Sequence, residues 1–168
     1  MAALTVAAEG RWLDWDGLEP GLADQAVTAA FAVDPAAVEH GTGRLSGRQR
    51  ALRTVRSGGE PSLRWWLDGS GAPALVQVLS PLSRPDLEMV LAGLGPPARE
   101  GAGRHLVSGA TTTELVWPAR GLTLTVAESY EAPPAWPRRL ASVLLFPASD
   151  LRTFVVDLGG NDRGGPAW

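Results

Sequence analysis

The chain has 168 residues, a net charge of −3, no cysteine, two histidines and 15 basic residues, all of them arginine. That length fits one domain or two small halves sharing a core, and the missing cysteines remove disulfides, thiolate metal sites and cysteine nucleophiles together. The mild acidity argues against bulk attraction to nucleic acid. No apolar run approaches the roughly 20 residues of a bilayer span, and Met1–Glu9 lacks the basic and long apolar regions of a signal peptide. A cytoplasmic protein with no membrane association is expected. The absence of lysine, beside so much Ala, Gly and Pro, fits a GC-rich coding sequence.

Along the chain, Leu4–Val6 and Trp12–Trp15 carry short strand-like runs, followed by a turn at Asp16-Gly17. Residues 21–31 read as a helix, with Ala23, Ala26, Val27 and Ala30 on one face. Asp34-Pro35 stops it, because the residue before proline is pushed out of the helical region. Ala36–Glu39 offers one further helical turn, and Gly41, Gly43 and Gly47 mark a loop. Arg48–Arg56 reads as a strand without clean alternation. Leu63–Leu67 and Ala74–Leu79 are strands on either side of Asp68-Gly69-Ser70-Gly71.

The second half is patterned more clearly. Pro85 suits a first helical position and Asp86 suits the first turn of a helix. Leu87, Val90, Leu91 and Leu94 then recur at helical spacing until Gly95-Pro96-Pro97 ends the run. Residues 98–110 read as a loop with a short strand at Arg104–Val107. Glu114–Trp117 and Leu122–Val126 alternate with period two around Pro118–Gly121, the signature of a hairpin. A Pro-rich loop, a strand at Leu140–Phe146 and a helix from Asp150 to Leu158 follow, then a polar, Gly-rich flexible tail over 161–168.

Asp86-Leu87 precedes Leu94-Gly95 by the same interval that separates Asp150-Leu151 from Leu158-Gly159. Together with the shared order of elements, this points to duplicated units. The expected fold class is α+β: two related α-β-β-β halves, 1–82 and 83–160, forming a mostly antiparallel sheet with helices packed on one face. Those helices should meet the sheet through Leu87, Leu91, Leu94, Leu151, Phe154, Val155 and Leu158. The run Leu94-Gly95-Pro96-Pro97, a loop and Glu114-Leu-Val-Trp117, over residues 85–127, resembles one repeat of the small αβ folds of β-lactamase-inhibitory proteins and BamE/SmpA outer-membrane assembly lipoproteins. The resemblance implies a fold and a habit of binding proteins through the sheet, and carries over no catalytic residue.

Candidate chemistry is sparse. His40 and His105 have no second ligand at metal spacing, and there is no Gly-x-Ser-x-Gly elbow. Gly41–Gly47 resembles a phosphate loop only in its glycines, lacking the Lys-Ser/Thr ending. Asp14, Asp16 and Glu19 read as an acidic turn. No catalytic residue, metal or cofactor is assigned. The richest constellation is the arginine run Arg44, Arg48, Arg50, Arg53, Arg56 and Arg64 leading into Trp65-Trp66. Pairing of these arginines with the acids of residues 9–39, contact with another protein, and single-stranded nucleic acid are the three readings, in that order.

Adjacent strand residues point to opposite faces, so one of Trp65 and Trp66 is expected on an open face, beside Arg64. The expected function is a non-catalytic protein-binding module, such as an inhibitor, an immunity-type protein or an accessory subunit. It would use Arg53, Arg64, Trp65, Trp66, Trp117 and Arg120 toward another protein, with a homodimer also open. The alternative is a small-molecule-binding protein or enzyme with a pocket between the halves lined by Trp65, Trp117 and Trp136.

Overall fold

A computed structural model describes residues 21–79, 87–105, 110–129, 131, 134 and 137–157, with 60, 61 and 102–105 described by their backbone alone. The expected strands at 4–6 and 12–15, the helix start at Pro85-Asp86, Trp136, Leu158 and the tail 161–168 lie outside the described residues.

Among the described residues, three helices accompany one eight-stranded sheet. Helix α1 (Ala23–Phe31) precedes strands β1 (Glu39–Leu45), β2 (Arg48–Ser57), β3 (Glu60–Leu67) and β4 (Pro73–Leu79). Helix α2 (Leu87–Leu94) precedes β5 (Arg99–His105), β6 (Ala110–Trp117), β7 (Leu122–Ser129) and β8 (Arg139–Leu145), and α3 (Leu151–Asp157) follows. Short 3₁₀ turns occupy Pro35–Ala37 and Pro118–Arg120. The strand order is β1-β2-β3-β4-β8-β7-β6-β5, and every pairing is antiparallel. Two four-stranded meanders, each led by a helix, therefore meet at β4 and β8. The chain is an α+β protein.

Each half has four strands where three were expected. The additional length is at the two edges, β1, which reads as a glycine loop in the sequence, and β5, where only a short strand at Arg104–Val107 was expected. Gly41-Thr-Gly-Arg44 on β1 and Gly101-Ala-Gly-Arg104 on β5 share one pattern, and Gly41 opposes Leu52 as Gly101 opposes Glu114. Glycine carries no side chain to mark a pleat and weakens a strand, so period-two reading fails there. Pairing to the neighbouring strand supplies what the side chains do not. On β1 the two-residue turn Ser46-Gly47, both with positive φ (50° and 74°), turns the chain tightly into β2.

The sheet divides its side chains cleanly. On the first face Val55, Leu63, Trp65, Val76, Leu115, Trp117, Leu122, Leu124, Val126, Val143 and Leu145 form one core with Ala23 and Val27 of α1 and Leu87 and Leu94 of α2. Of the expected face Ala23, Ala26, Val27 and Ala30, helix α1 buries Ala23 and Val27, with Thr28 beside them, while Ala26 is half-buried and Ala30 is exposed. The Thr28 hydroxyl is accommodated by donating to the carbonyls of Asp24 (2.8 Å) and Gln25 (3.1 Å). In α2, Leu91 is only half-buried.

The second face holds Trp66, Leu75, Val116, Phe146 and Phe154, with Leu45, Leu52, Leu144, Leu151 and Val155 against them. Phe154 belongs to α3, so the expectation that all helices share one face is corrected: α1 and α2 cover the first face and α3 the second. The route of the chain out of β8 explains this. The Phe146 N–H donates to the Gly121 carbonyl and the Ser149 N–H to the Pro118 carbonyl, both at 2.9 Å, tying the chain to the β6–β7 turn. Gly121 has φ +61°, and a Cβ there would meet the Phe146 carbonyl oxygen at 1.9 Å, so only glycine allows this approach. The Asp150 carboxylate then caps α3, accepting from the Thr153 N–H at 2.8 Å. The Phe146 and Phe154 rings pack at 4.8 Å, and the Ser46 hydroxyl donates to the Asp157 carbonyl at the far end of the helix.

Candidate functional site

The predicted residues fall into two groups on opposite faces. On the first face, Arg53 of β2 stands directly opposite Trp65 of β3. Both converge on Asp24, in the first turn of α1. The Trp65 indole N–H donates to Asp24 Oδ1 and Arg53 Nε to Asp24 Oδ2, each at 2.8 Å. Trp65 is 0 % exposed, so its one polar atom needs a partner, and Asp24 supplies it. A second ion pair joins Arg56 to Glu39 at 3.0 Å. Pairing within the chain is thus what Arg53 and Arg56 do. Trp117 follows the same logic in the second half, where its indole N–H donates to the Gly95 carbonyl at the end of α2 (3.1 Å). Arg120 is half-buried in the 3₁₀ turn after Trp117, away from the Arg53–Trp65 pair.

Trp66 points to the other face, as alternation requires, but that face is not open. The ring is 7 % exposed, packed among Leu75, Leu52 and residues of α3. The expectation of a Trp ring on a free surface is therefore corrected: Trp65, Trp66 and Trp117 are all buried within the chain. Gly43 on β1 makes room for the indole, since a Cβ there would lie 3.0 Å from Trp66 Nε1.

The second face carries polar side chains of a different kind. Read across the sheet, Thr54, Arg64, Gln77, Leu144, Thr123 and Val116 oppose one another in turn on β2, β3, β4, β8, β7 and β6. Gln77 is 5 % exposed and Thr123 1 %. Arg64 Nε, Gln77 Oε1, Thr123 Oγ1 and, in the next row, Trp66 Nε1 are buried with no hydrogen-bond partner. Ser149 Oγ, in the segment that leads into α3, is the fifth such atom among the described residues. The neighbouring hydroxyls of Ser142 and Thr125 bond each other at 3.0 Å and are satisfied.

Gln77 and Thr123 were missed from the sequence. The available signal was a single amide inside the apolar run Ala74–Leu79; Thr123 had none, because threonine is ordinary on a pleated surface.

The charged groups with perturbed acidity lie elsewhere. Burial raises the Asp68 carboxyl, but hydrogen bonds from the Ser70 hydroxyl and the Ser70, Ala72 and Gly71 backbone outweigh it and hold the group below its ordinary value. Asp150 is lowered chiefly by the Thr153 N–H. Both shape turns. His40 is exposed on β1. Among the described residues no cluster of three or more His, Asp or Glu is placed to hold a metal ion, and no helix is long and apolar enough to cross a membrane.

No family model matches the chain, and no curated protein does. Among solved structures the chain is similar to the uncharacterized protein yfeY from Escherichia coli, at 14 % identity over 75 % of this chain and 89 % of that one, with a TM-score of 0.44.

Proposed function

We propose that this chain is a non-catalytic binding protein for a small polar molecule, whose contacts fall on the second face of the sheet. The observation that carries the reading is the placement of unpartnered polarity. Buried polar atoms are ordinarily hydrogen-bonded, and each exception requires an explanation. Here the exceptions gather on one face and in the segment crossing it, while the indole N–H groups of the first face are both satisfied. A face that keeps costly polar atoms without internal partners has a use for them. Among the described residues the tryptophans that would favour a protein partner, Trp65, Trp66 and Trp117, are spent on the two cores, and Trp65 and Trp117 serve the first core.

The test is Thr123→Val, which removes the buried hydroxyl while keeping the side-chain shape. If the hydroxyl serves a ligand rather than the fold, the urea midpoint of the ligand-free protein stays the same or rises, with a gain of up to about 1 kcal/mol. A destabilisation of more than about 1 kcal/mol overturns the reading, because it makes the hydroxyl a structural group.

We also infer that the two halves descend from one helix-plus-four-strand unit. The support is the Gly-x-Gly-Arg pattern on both edge strands, paired at corresponding positions, together with a strand order symmetric about β4 and β8.

A further inference from the structure

The edge of the first half carries a pattern that is complementary to itself. Strand β1 is outermost in the strand order, and no described strand pairs with its other side. Sheets ordinarily blunt such an edge with proline, a bulge or a very short strand. β1 has none of these: its seven residues run opposite β2 in unbroken register. A two-residue turn is closed by a hydrogen-bonded pair, here Leu45 and Arg48, and bonded and non-bonded pairs alternate from there. His40, Thr42 and Arg44 therefore turn their N–H and C=O groups away from β2, and all three are exposed. The charges along the edge are separated by sign. Glu39 opens the strand, Arg44 lies near its end, and Arg48 begins β2 just past the turn. Arg56 holds Glu39 at 3.0 Å, whereas the ion pairs among the described residues engage neither Arg44 nor Arg48.

We propose that β1 pairs antiparallel with β1 of a second copy of this chain, about a two-fold axis at Thr42, so that one sheet continues through the dimer. His40, Thr42 and Arg44 of one copy then oppose Arg44, Thr42 and His40 of the other, with about six backbone hydrogen bonds between them. Thr42 meets Thr42, a favourable cross-strand pair. On the second face Gly41 meets Gly43, so no side chain crowds the seam there. Glu39 meets Leu45, and Arg48 stands one strand further on, opposite Leu45. Two strand spacings, about 10 Å, lie within the combined reach of a glutamate and an arginine side chain. Each copy thus offers its arginine to the other's carboxylate, which has lone pairs to spare beside Arg56. A parallel pairing would set Glu39 against Glu39 and Arg44 against Arg44 instead, and like charges side by side are unfavourable. Pairing of β1 with β5 of another copy would leave an open edge at each end and build filaments, whereas the two-fold arrangement closes on itself.

The experiment is sedimentation equilibrium of the full chain over a range of concentrations, on wild type, Thr42→Pro, Thr42→Val, Glu39→Arg and Arg48→Glu, with circular dichroism to establish that each variant is folded. Wild type and Thr42→Val should show a reversible monomer–dimer equilibrium. Thr42→Pro removes an N–H that points away from β2, which an edge strand tolerates, and should weaken the dimer at least about tenfold. Glu39→Arg and Arg48→Glu should each weaken it alone. An equimolar mixture of those two should recover it, because in the mixed dimer residues 39 and 48 are again opposite in sign across the seam. A wild type that stays monomeric, assembly beyond the dimer, or Thr42→Pro dimerising as wild type does overturns the assignment. So does a mixture of the two charge variants that associates no better than its components, and this arm decides alone if Thr42→Pro fails to fold.

Discussion

Trp65 and Trp66 are neighbours in the chain, both buried, and serve opposite faces of one sheet. The difference between them is one hydrogen bond. Trp65 donates to Asp24, which also receives Arg53, so a helix, two strands and two charges are locked together. Trp66 donates to nothing, and the Arg64, Gln77 and Thr123 side chains near it share that condition. The first face is thus closed in the sense that matters for stability: its apolar surface is packed and its indoles are paired. The second face is packed at the end under α3 and electrostatically unfinished beside it. Burial alone does not distinguish the two tryptophans; the state of the indole N–H does.

The contrast can be broken most directly at the two rings. Trp65→Phe removes a hydrogen bond to a carboxylate and should cost about 1.5–3 kcal/mol. Trp66→Phe removes an N–H that has no partner and should cost less than about 1 kcal/mol beyond its small loss of volume. Equal costs in urea denaturation would mean that the Asp24 contact adds nothing.

The latch around Asp24 comes next in size. Asp24→Ala leaves the buried Trp65 N–H unpaired and should lose about 1–3 kcal/mol. A double-mutant cycle with Arg53→Met should show a coupling of about 0.5–3 kcal/mol, since both groups share one carboxylate. Additive single changes would make Arg53 a surface charge rather than part of the latch.

The smallest effect is that of pH. Asp68 and Asp150 both titrate below their ordinary values in the folded chain. Their stabilising contributions are therefore complete above the unfolded carboxylate range, about pH 4, and disappear as pH falls through the folded values. Thermal unfolding between about pH 6 and about pH 2 should show the melting temperature dropping only in the acid limb. Asp150→Ala should lower the neutral-pH melting temperature by removing the α3 cap and flatten part of that limb. An unchanged limb would remove Asp150 from the account.

Much of the architecture was legible in the residues themselves. The alternation at Glu114–Trp117 and Leu122–Val126 gave a hairpin and its faces, and the helical spacing of Leu87, Val90, Leu91 and Leu94 gave α2. The order of helices and strand groups was also readable, because apolar periodicity records which side of an element meets a core. The edge strands β1 and β5 were not readable, because glycine leaves no periodicity and their strand character comes from backbone pairing to β2 and β6. The candidate site was legible only in part: Arg64 and Trp66 stood out by type, but Gln77 and Thr123 lie on strands far apart in sequence that only the β4–β8 pairing brings into one row.

What the sequence determined by itself was the local grammar: which segments are helical, which alternate, and that Trp65 and Trp66 face opposite ways. What the tertiary structure decided was which face is finished. A carboxylate in the first turn of a distant helix reaches Trp65, while Trp66, in one apolar cluster with Phe154 of the helix carried around the Gly121 turn, finds no acceptor for its N–H. Hydrogen-bond satisfaction is set by contacts between elements, and a one-dimensional pattern holds no record of it.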